Sequence, residues 1–212
     1  MRIITISRQF GSGGRELGER LAKQLGWDYY DKEIIQMLAE RHDLDEEFVR
    51  EVLTEHGWRD IQLTYRQSFS QLLAEPSYRT NVLLQQSEII REIARTGNDC
   101  VIVGRDADVI LSDYDPFRLF ICADMDARLE RCMRHEERKA PEQRLSQKEV
   151  LKNIRRIDKN RVRTREILSG KSSSDTSSFD LVVNASGRDR EKLAAALAAF
   201  SIRWFEDSED ER

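Results

Sequence analysis

The sequence predicts an α/β fold in which a parallel β-sheet carries helices on both faces. Short apolar, β-branched segments alternate along the chain with helical patterns, which is typical of such sheets. Proline and glycine number only 3 and 10 among 212 residues, so regular structure should dominate. One long stretch without strand patterns, residues 32–97, interrupts the alternation. We therefore predict a single domain that contains a helical insert.

The elements before the insert are a strand, a helix and a second strand. The β-branched run of residues 2–7 predicts a buried strand. Residues 16–25 carry leucines at helical spacing and predict a helix that ends at Gly26. Residues 27–30 predict a short second strand, and residues 32–97 then show helical patterns only.

Three further strands are predicted after the insert, which brings the sheet to five. They are residues 100–103, 117–122 and 179–184. The helices around them are predicted at residues 126–139, 146–169 and 188–205, and residues 171–178 predict a polar loop. These elements predict a core of residues 1–31, 98–145 and 176–206, a lid region of residues 146–175 and a tail of residues 206–212.

Composition and charge predict a cytoplasmic protein that binds neither membranes nor nucleic acid. The cysteines Cys100, Cys122 and Cys132 are odd in number and lack metal-ligand spacing, as in a reducing compartment. No secretory pattern begins the chain, and no apolar run approaches the roughly 20 residues of a membrane helix. The net charge of −4 resides in the acidic tail, so the body of the chain is neutral.

Polar residues follow the predicted strands at the edge where ligands bind in parallel sheets. Right-handed crossovers place all strand carboxyl ends at the same edge. Ser7 and Asp31 end the first two strands, and residues 104–106 and Asp124 follow the next two. We therefore expect these residues to converge on one site.

Residues 8–16, RQFGSGGRE, predict a phosphate loop between the first strand and the first helix. Glycines allow backbone N–H groups and the helix amino end to approach a phosphate closely. Against the pattern G-x-x-x-x-G-K-[ST], Arg8 replaces the first glycine and Gly14 replaces the lysine. We predict that Arg15 supplies the missing charge; a tight turn beside a surface arginine is the alternative. The residues assigned to ATP are Gly11, Ser12, Gly13, Gly14, Arg15 and Glu16.

Two further segments carry candidate ligand-binding side chains. VIVGRD, residues 101–106, delivers Arg105 to hold a phosphate and Asp106 to accept hydrogen bonds, unless the pair merely closes a turn. In the helix of residues 146–169, Arg155, Asp158, Arg161 and Arg165 fall within an arc of roughly 120°. Arginines on one face could neutralise a transferring phosphoryl group beneath a moving lid, whereas a solvated helix is the ordinary alternative.

Taken together, these segments resemble bacterial cytidylate kinases and, more closely, the cytidylate kinase-like family. Members typically begin with an ITISR…GSGGR loop followed by YYDKE; here the segments are ITISRQFGSGGRELG and YYDKEII. VIVGRDADVIL, FRLFICADMDARLERCMR and FDLVVNAS extend the similarity. The resemblance implies a P-loop nucleoside monophosphate kinase fold, with a five-stranded parallel sheet, a helical nucleotide-binding insert and a lid. It implies phosphoryl transfer from ATP, with Mg²⁺, to CMP or dCMP.

The resemblance also implies roles for individual residues. Asp31 closes the second strand, and Asp158 and Arg161 match the D-x-x-R of the family's lid helix. The residues expected to bind the acceptor are Asp31, Arg105, Asp106, Asp158 and Arg161, and those expected in catalysis are Arg15, Arg155 and Arg161. The chain departs from well-studied cytidylate kinases where KEIIQM replaces S-G-A-x-Y-R and ADVILSDYD replaces G-T-V-V-F-P-D-A.

The sequence leaves two other functions open and disfavours a third. The acceptor could be another small metabolite, or the chain could be a nucleotide sensor without turnover, since the loop lacks lysine. RNA binding through the basic residues 154–171 is disfavoured by the neutral body and by the absence of interleaved aromatic residues. The helical insert could form a homodimer surface.

Overall fold

The computed structural model describes residues 1–31, 33–42, 76–170 and 178–210. The strands are β1 (Ile3–Arg8), β2 (Asp28–Tyr30), β3 (Cys100–Val103), β4 (Phe117–Cys122) and β5 (Leu181–Asn184). The described helices are α1 (Gly14–Leu25), α2 (Glu33–His42), α3 (Pro76–Arg95), α4 (Ala107–Ile110), α5 (Met125–Glu136), α6 (Gln147–Ser169) and α7 (Arg190–Asp210).

The five strands form one parallel sheet in the order β2-β3-β1-β4-β5, which confirms the predicted fold class. Ile4 lies opposite Val101 on one side and Phe117 on the other. β2 begins one residue later than predicted because the Trp27 N–H donates to the Ala22 carbonyl, 3.0 Å away, within the end of α1.

The central strand β1 is buried on both faces of the sheet. Ile3, Ile4, Thr5 and Ile6 are each at most 2% exposed, although successive side chains point to opposite faces. The sequence of a strand buried on both faces is a continuous apolar run, without the alternation of apolar and polar residues seen in half-exposed strands. On one face Ile4 and Ile6 share a hydrophobic cluster with residues of α1 and α7. Both faces of the sheet are therefore covered.

The last helix is longer than its apolar pattern predicted. α7 continues to Asp210, so the first residues of the acidic tail belong to a helix. Its carboxyl half is held by aromatic contacts: the Trp204 ring centroid lies 4.9 Å from that of Phe117, and Phe205 packs against Trp27 at 5.8 Å.

By its internal contacts the chain divides into two compact units. One comprises residues 1–31 and 97–212, and the other residues 32–96. In the second unit α2 and α3 pack together, and Arg41 Nη1 donates to Glu92 Oε1 at 3.2 Å. Residues 43–75 of the predicted insert, and residues 171–177 of the predicted polar loop, lie outside the described residues. None of the described helices is long and apolar enough to cross a membrane.

Gly18 lets α1 approach the sheet, and Gly18→Val should therefore destabilise the protein. A Cβ built on Gly18 would lie 2.6 Å from Val103 Cγ2 and 3.1 Å from Ile6 Cδ1. Overpacking at such a contact should lower the free energy of unfolding by about 3 kcal/mol in a urea titration. Glu19→Val, at an exposed position of the same helix, is the matched control and should change it by less than about 0.5 kcal/mol.

Candidate active site

The phosphate loop connects the carboxyl end of β1 to the amino end of α1. Gly11 and Gly13 adopt φ angles of +79° and +85°, a region that favours glycine. Ser12 Oγ donates to the Gln9 carbonyl at 2.9 Å, and Gln9 Oε1 accepts from the Ala123 N–H at 3.0 Å. Gly13 caps α1 without a side chain, so the backbone N–H groups of the first turn can bind an anion.

The structure places Arg8 in the site. In the sequence it stands out only because it replaces the first glycine of the phosphate-loop pattern. Its guanidinium lies against Gly104, where a built Cβ would come within 1.5 Å of Nη1. Arg8 Nη2 lies 3.7 Å from Asp31 Oδ1, and only 14% of the side chain is exposed. Burial lowers the pKa of Arg8, while the Asp31 carboxylate opposes that shift. Gly104 is therefore required to make room for this arginine.

Asp31 lies between two arginines at the end of β2. Its side chain is 2% exposed and pairs with Arg15 as well as with Arg8, whereas Arg15 is 56% exposed. Burial, followed by the charge of Arg8, lowers the pKa of Arg105 to about 10. We name Arg8, Arg15, Asp31 and Arg105 the Asp31 cluster. Three guanidinium groups around one carboxylate leave an excess of positive charge that suits a phosphate.

The turn after β3 holds Arg105 and Asp106 in an unusual backbone conformation. Both residues lie in the left-handed region, with φ of +61° and +51°. Burial, and then the carboxylate of Asp108, raises the pKa of Asp106 to about 6, although Arg165 opposes the shift. Backbone strain and an unfavourably placed carboxylate occur together here, as is common at functional sites.

Asp106→Asn should stabilise the folded protein at neutral pH but not in acid. The raised pKa makes the folded state bind this proton more tightly than the unfolded chain does. The stability that the protonated Asp106 side chain contributes is thus fully present below about pH 4 and is lost as the pH rises through about 6. At about 1.4 kcal/mol per pKa unit, the advantage of the variant should grow by about 2–3 kcal/mol. Urea titrations at pH 4 and 7 would measure it, and a pH-independent difference would contradict the assignment.

The predicted lid helix α6 presents one continuous face that is apolar at its start and charged at its end. Val150, Ile154 and Ile157 are buried, and Asp158 and Arg161 continue the same face toward the phosphate loop. Arg155 and Arg163 are exposed. The structure therefore brings Asp158 and Arg161 together with the loop, whereas the role of the exposed Arg155 in catalysis stays a prediction.

Arg165 lies one turn beyond Arg161 on that face. It pairs with Asp108, and its guanidinium stacks over the Phe179 ring at 4.7 Å. Asp108 also accepts from Ser7 Oγ at 3.4 Å. The carboxyl half of α6 is thereby anchored to the turn that carries Arg105 and Asp106.

Asp158 and Arg161 contact the backbone of the phosphate loop directly. Asp158 Oδ1 accepts from the Phe10 N–H at 2.7 Å, and Arg161 Nη1 donates to the Arg8 carbonyl at 3.0 Å. Arg128, which is buried, donates to the Phe10 carbonyl at 2.7 Å and pairs with Asp158. No motif in the sequence predicts this role of Arg128; the available signal is an arginine at every third position of α5 from residue 128 to 134. Acceptor binding by Asp158 stays a prediction.

Two more arginines approach the amino end of α1. A Cβ built on Gly13 would lie 2.8 Å from Arg190 Nε and 3.0 Å from Arg131 Nη2. Arg131 Nη1 donates to Glu16 Oε2 at 2.8 Å, so the Glu16 carboxylate is paired with this arginine. ATP binding by Glu16 stays a prediction. The first turn of α1 is thus flanked by positive charge in addition to its own backbone N–H groups.

Comparisons with known proteins agree with this geometry. The sequence profile of the cytidylate kinase-like family matches residues 3–187. An uncharacterised protein from Eubacterium ventriosum ATCC 27560 is 22% identical, with a TM-score of 0.66 over 95% of this chain and 98% of that one. Shikimate kinase from Acinetobacter baumannii, in complex with shikimate, is 11% identical, with a TM-score of 0.55 over 96% and 94%. Shikimate kinase from Bacteroides thetaiotaomicron is 14% identical, with a TM-score of 0.52 over 99% and 98%.

No protein with a curated description matches the chain. At identities below 25%, the likeness to these solved structures establishes the P-loop kinase fold and nothing finer.

Proposed function

Because the chain belongs to the cytidylate kinase-like family, we propose that it transfers the γ-phosphoryl group of ATP to CMP or dCMP. One observation carries the proposal: the phosphate loop lies beside the Asp31 cluster at the same edge of the sheet. Backbone N–H groups of the loop and, beside them, the guanidinium groups of the cluster offer adjacent places for two anions, which suits a reaction between two phosphorylated compounds.

The ATP phosphates would lie on the phosphate loop. The N–H groups of Gly11, Gly13 and Gly14 and the positive end of α1 would bind the β-phosphate, and Arg15 would leave Asp31 to reach the γ-phosphate. Among the described residues, no three His, Cys, Asp or Glu side chains are grouped to hold a metal ion. Mg²⁺ would arrive as the ATP complex, bound mainly by phosphate oxygens and water.

The acceptor would lie at the Asp31 cluster. Arg105 would bind its phosphate, with Arg8 adding charge beneath, because a guanidinium can grip phosphate through two parallel hydrogen bonds. Asp106, as an ionised carboxylate, would accept a hydrogen bond from the exocyclic amino group of cytosine. That group is what distinguishes cytosine from uracil at this position of the ring.

Helix α6 would close over the transferring group. Arg161 already contacts the loop backbone, whereas Arg155 is exposed, so its proposed role requires α6 to move on nucleotide binding. Closure would also displace Asp158 from the Phe10 N–H, which a phosphate oxygen could then occupy. Exclusion of water by the closed helix would prevent hydrolysis of ATP.

Two alternatives each have an observation in their favour. The absence of S-G-A-x-Y-R after Asp31 favours a different small acceptor on the same machinery. Arg15 is the cationic side chain in the first turn of α1, and its ion pair with Asp31 partly neutralises it. A loop with less positive charge for the transferred phosphoryl group favours a nucleotide sensor without turnover.

An acceptor screen with ATP and Mg²⁺ tests the proposal. Release of ADP is measured with each nucleoside monophosphate and with a set of hydroxylated metabolites. The proposal expects turnover with CMP or dCMP that exceeds turnover with UMP, GMP and AMP. Turnover only with another small molecule would replace the acceptor, and ATP binding without any turnover would favour the sensor.

A further inference from the structure

Arg190, the first residue of α7, is held against the phosphate loop by backbone carbonyls. Its Nη1 donates to the carbonyls of Ala185 and Arg188 at 2.6 and 3.0 Å, and its Nη2 donates to the Ser12 carbonyl at 3.3 Å. All three acceptors are neutral, and Arg190 forms no ion pair with a carboxylate of the described residues. A full positive charge is thus fixed next to the loop without a counter-charge bound to it.

The Arg190 guanidinium can take this position because Gly13 has no side chain. The space that a side chain would take at Gly13 is filled from two sides, by Arg190 Nε at 2.8 Å and by Arg131 Nη2 at 3.0 Å from a built Cβ. Arg131 forms an ion pair with Glu16, whereas Arg190 forms none with a carboxylate of the described residues, although the charges of Glu16 and Asp189 act on it from further away. Both guanidinium groups stand at the amino end of a 12-residue helix, which adds partial positive charge of its own.

The Nε–H donor of Arg190 lacks an acceptor. Its Nε is buried, and no hydrogen-bond partner for it exists among the residues that the structure describes. A buried charged donor atom without an acceptor is costly. Burial, followed by the charge of Arg131, also lowers the pKa of Arg190, as expected where two cations face each other. An anion at this point would relieve both effects.

We propose that Arg190 is a positioning residue that fixes the phosphate loop through Ser12 and, together with Arg131, supplies positive charge that a loop without lysine lacks. The ligand is the polyphosphate chain of a nucleoside triphosphate, an identity that rests on the proposed function. Arg190 acts on the loop rather than on the acceptor, so its removal affects triphosphate binding and leaves acceptor binding unchanged.

Calorimetric titration of Mg·ATP and of AMP into the full chain tests this role. Arg190→Ala should weaken ATP binding about 10- to 100-fold, the effect of losing one charge-assisted contact. Its effect on AMP should be less than about threefold, because AMP lacks the polyphosphate. Arg190→Lys retains the positive charge but lacks the planar guanidinium with its several N–H donors, and it should weaken ATP binding by less than about tenfold. Arg203→Ala, at an exposed position of the same helix, is the matched control and should change neither affinity.

Thermal unfolding without nucleotide separates this role from a purely structural one. The proposal expects similar midpoints for Arg190→Ala and Arg190→Lys but different ATP affinities. Unchanged ATP affinity in Arg190→Ala, or equal losses for ATP and AMP, would overturn it. Wild-type protein that binds ATP but phosphorylates no nucleotide would refute the proposed kinase activity and leave the role of Arg190 intact.

Discussion

Replacing Arg15 with alanine should lower kcat/KM for ATP about 100- to 1000-fold, the usual cost of removing a charged donor from a developing phosphoryl charge. The loop has glycine where the lysine normally stands, and Arg15 is the next residue. In the structure its side chain is more than half exposed and its guanidinium pairs with Asp31. A flexible arginine in this place can exchange one anionic partner for another.

The comparison of Arg15→Ala with Asp31→Asn decides whether Arg15 acts on ATP or only neutralises Asp31. If it acts on ATP, Arg15→Ala should lose much more kcat/KM than Asp31→Asn, and Arg15→Lys should recover part of the loss. Arg203→Ala provides the control for loss of one surface charge. Equal losses in the two single variants, with no further loss in the double variant, would show that the ion pair matters and the arginine itself does not.

Arg105→Ala should lower kcat/KM for the acceptor about 1000-fold while the affinity for Mg·ATP stays within about threefold of wild type. Arg105 remains positively charged at neutral pH, since its pKa is lowered only to about 10. Without it, the acceptor phosphate would face Asp31 and Asp106 with only Arg8 to offset their charge, because Arg15 would have turned to the γ-phosphate. Steady-state kinetics with varied acceptor, together with calorimetry for ATP, would measure the two effects separately.

Arg105→Lys is the informative companion variant. It keeps the charge and the backbone strain at φ +61° but loses the planar fork, so we expect an intermediate loss of about tenfold. A parallel fall in ATP affinity in both variants would place Arg105 in the ATP site and contradict its assignment to the acceptor.

The elements of the fold could be predicted because their signals are local. The five strands follow from short apolar runs, and α6 begins at a capping box in which Ser146 and Glu149 bind each other, a pattern readable from four residues. The errors lie at element ends. Trp27 is apolar enough for a strand, but it follows the Gly26 cap of α1 and its N–H still donates to the Ala22 carbonyl of that helix. The charged residues after Phe205 continue α7, whose inner face is fixed by packing further up the helix.

The candidate site was predictable only where a single segment carries it. The glycines of the loop and the pair Arg105 and Asp106 stand out in the sequence because their chemistry lies within a few residues. Arg128 and Arg190 do not, since their contacts with Phe10 and Ser12 join residues 118 and 178 positions apart. The burial of Arg8 beneath Gly104 is of the same kind. Such contacts depend on how helices cross the sheet, which no local pattern encodes.

The most direct test of the account is a crystal structure of the full chain with Mg²⁺ and a non-hydrolysable ATP analogue. The account predicts β-phosphate oxygens within hydrogen-bond distance of the Gly13 and Gly14 N–H groups, with Arg15 turned from Asp31 to the γ-phosphate. An analogue bound away from this loop, or Arg15 still paired with Asp31 beside a bound triphosphate, would contradict it.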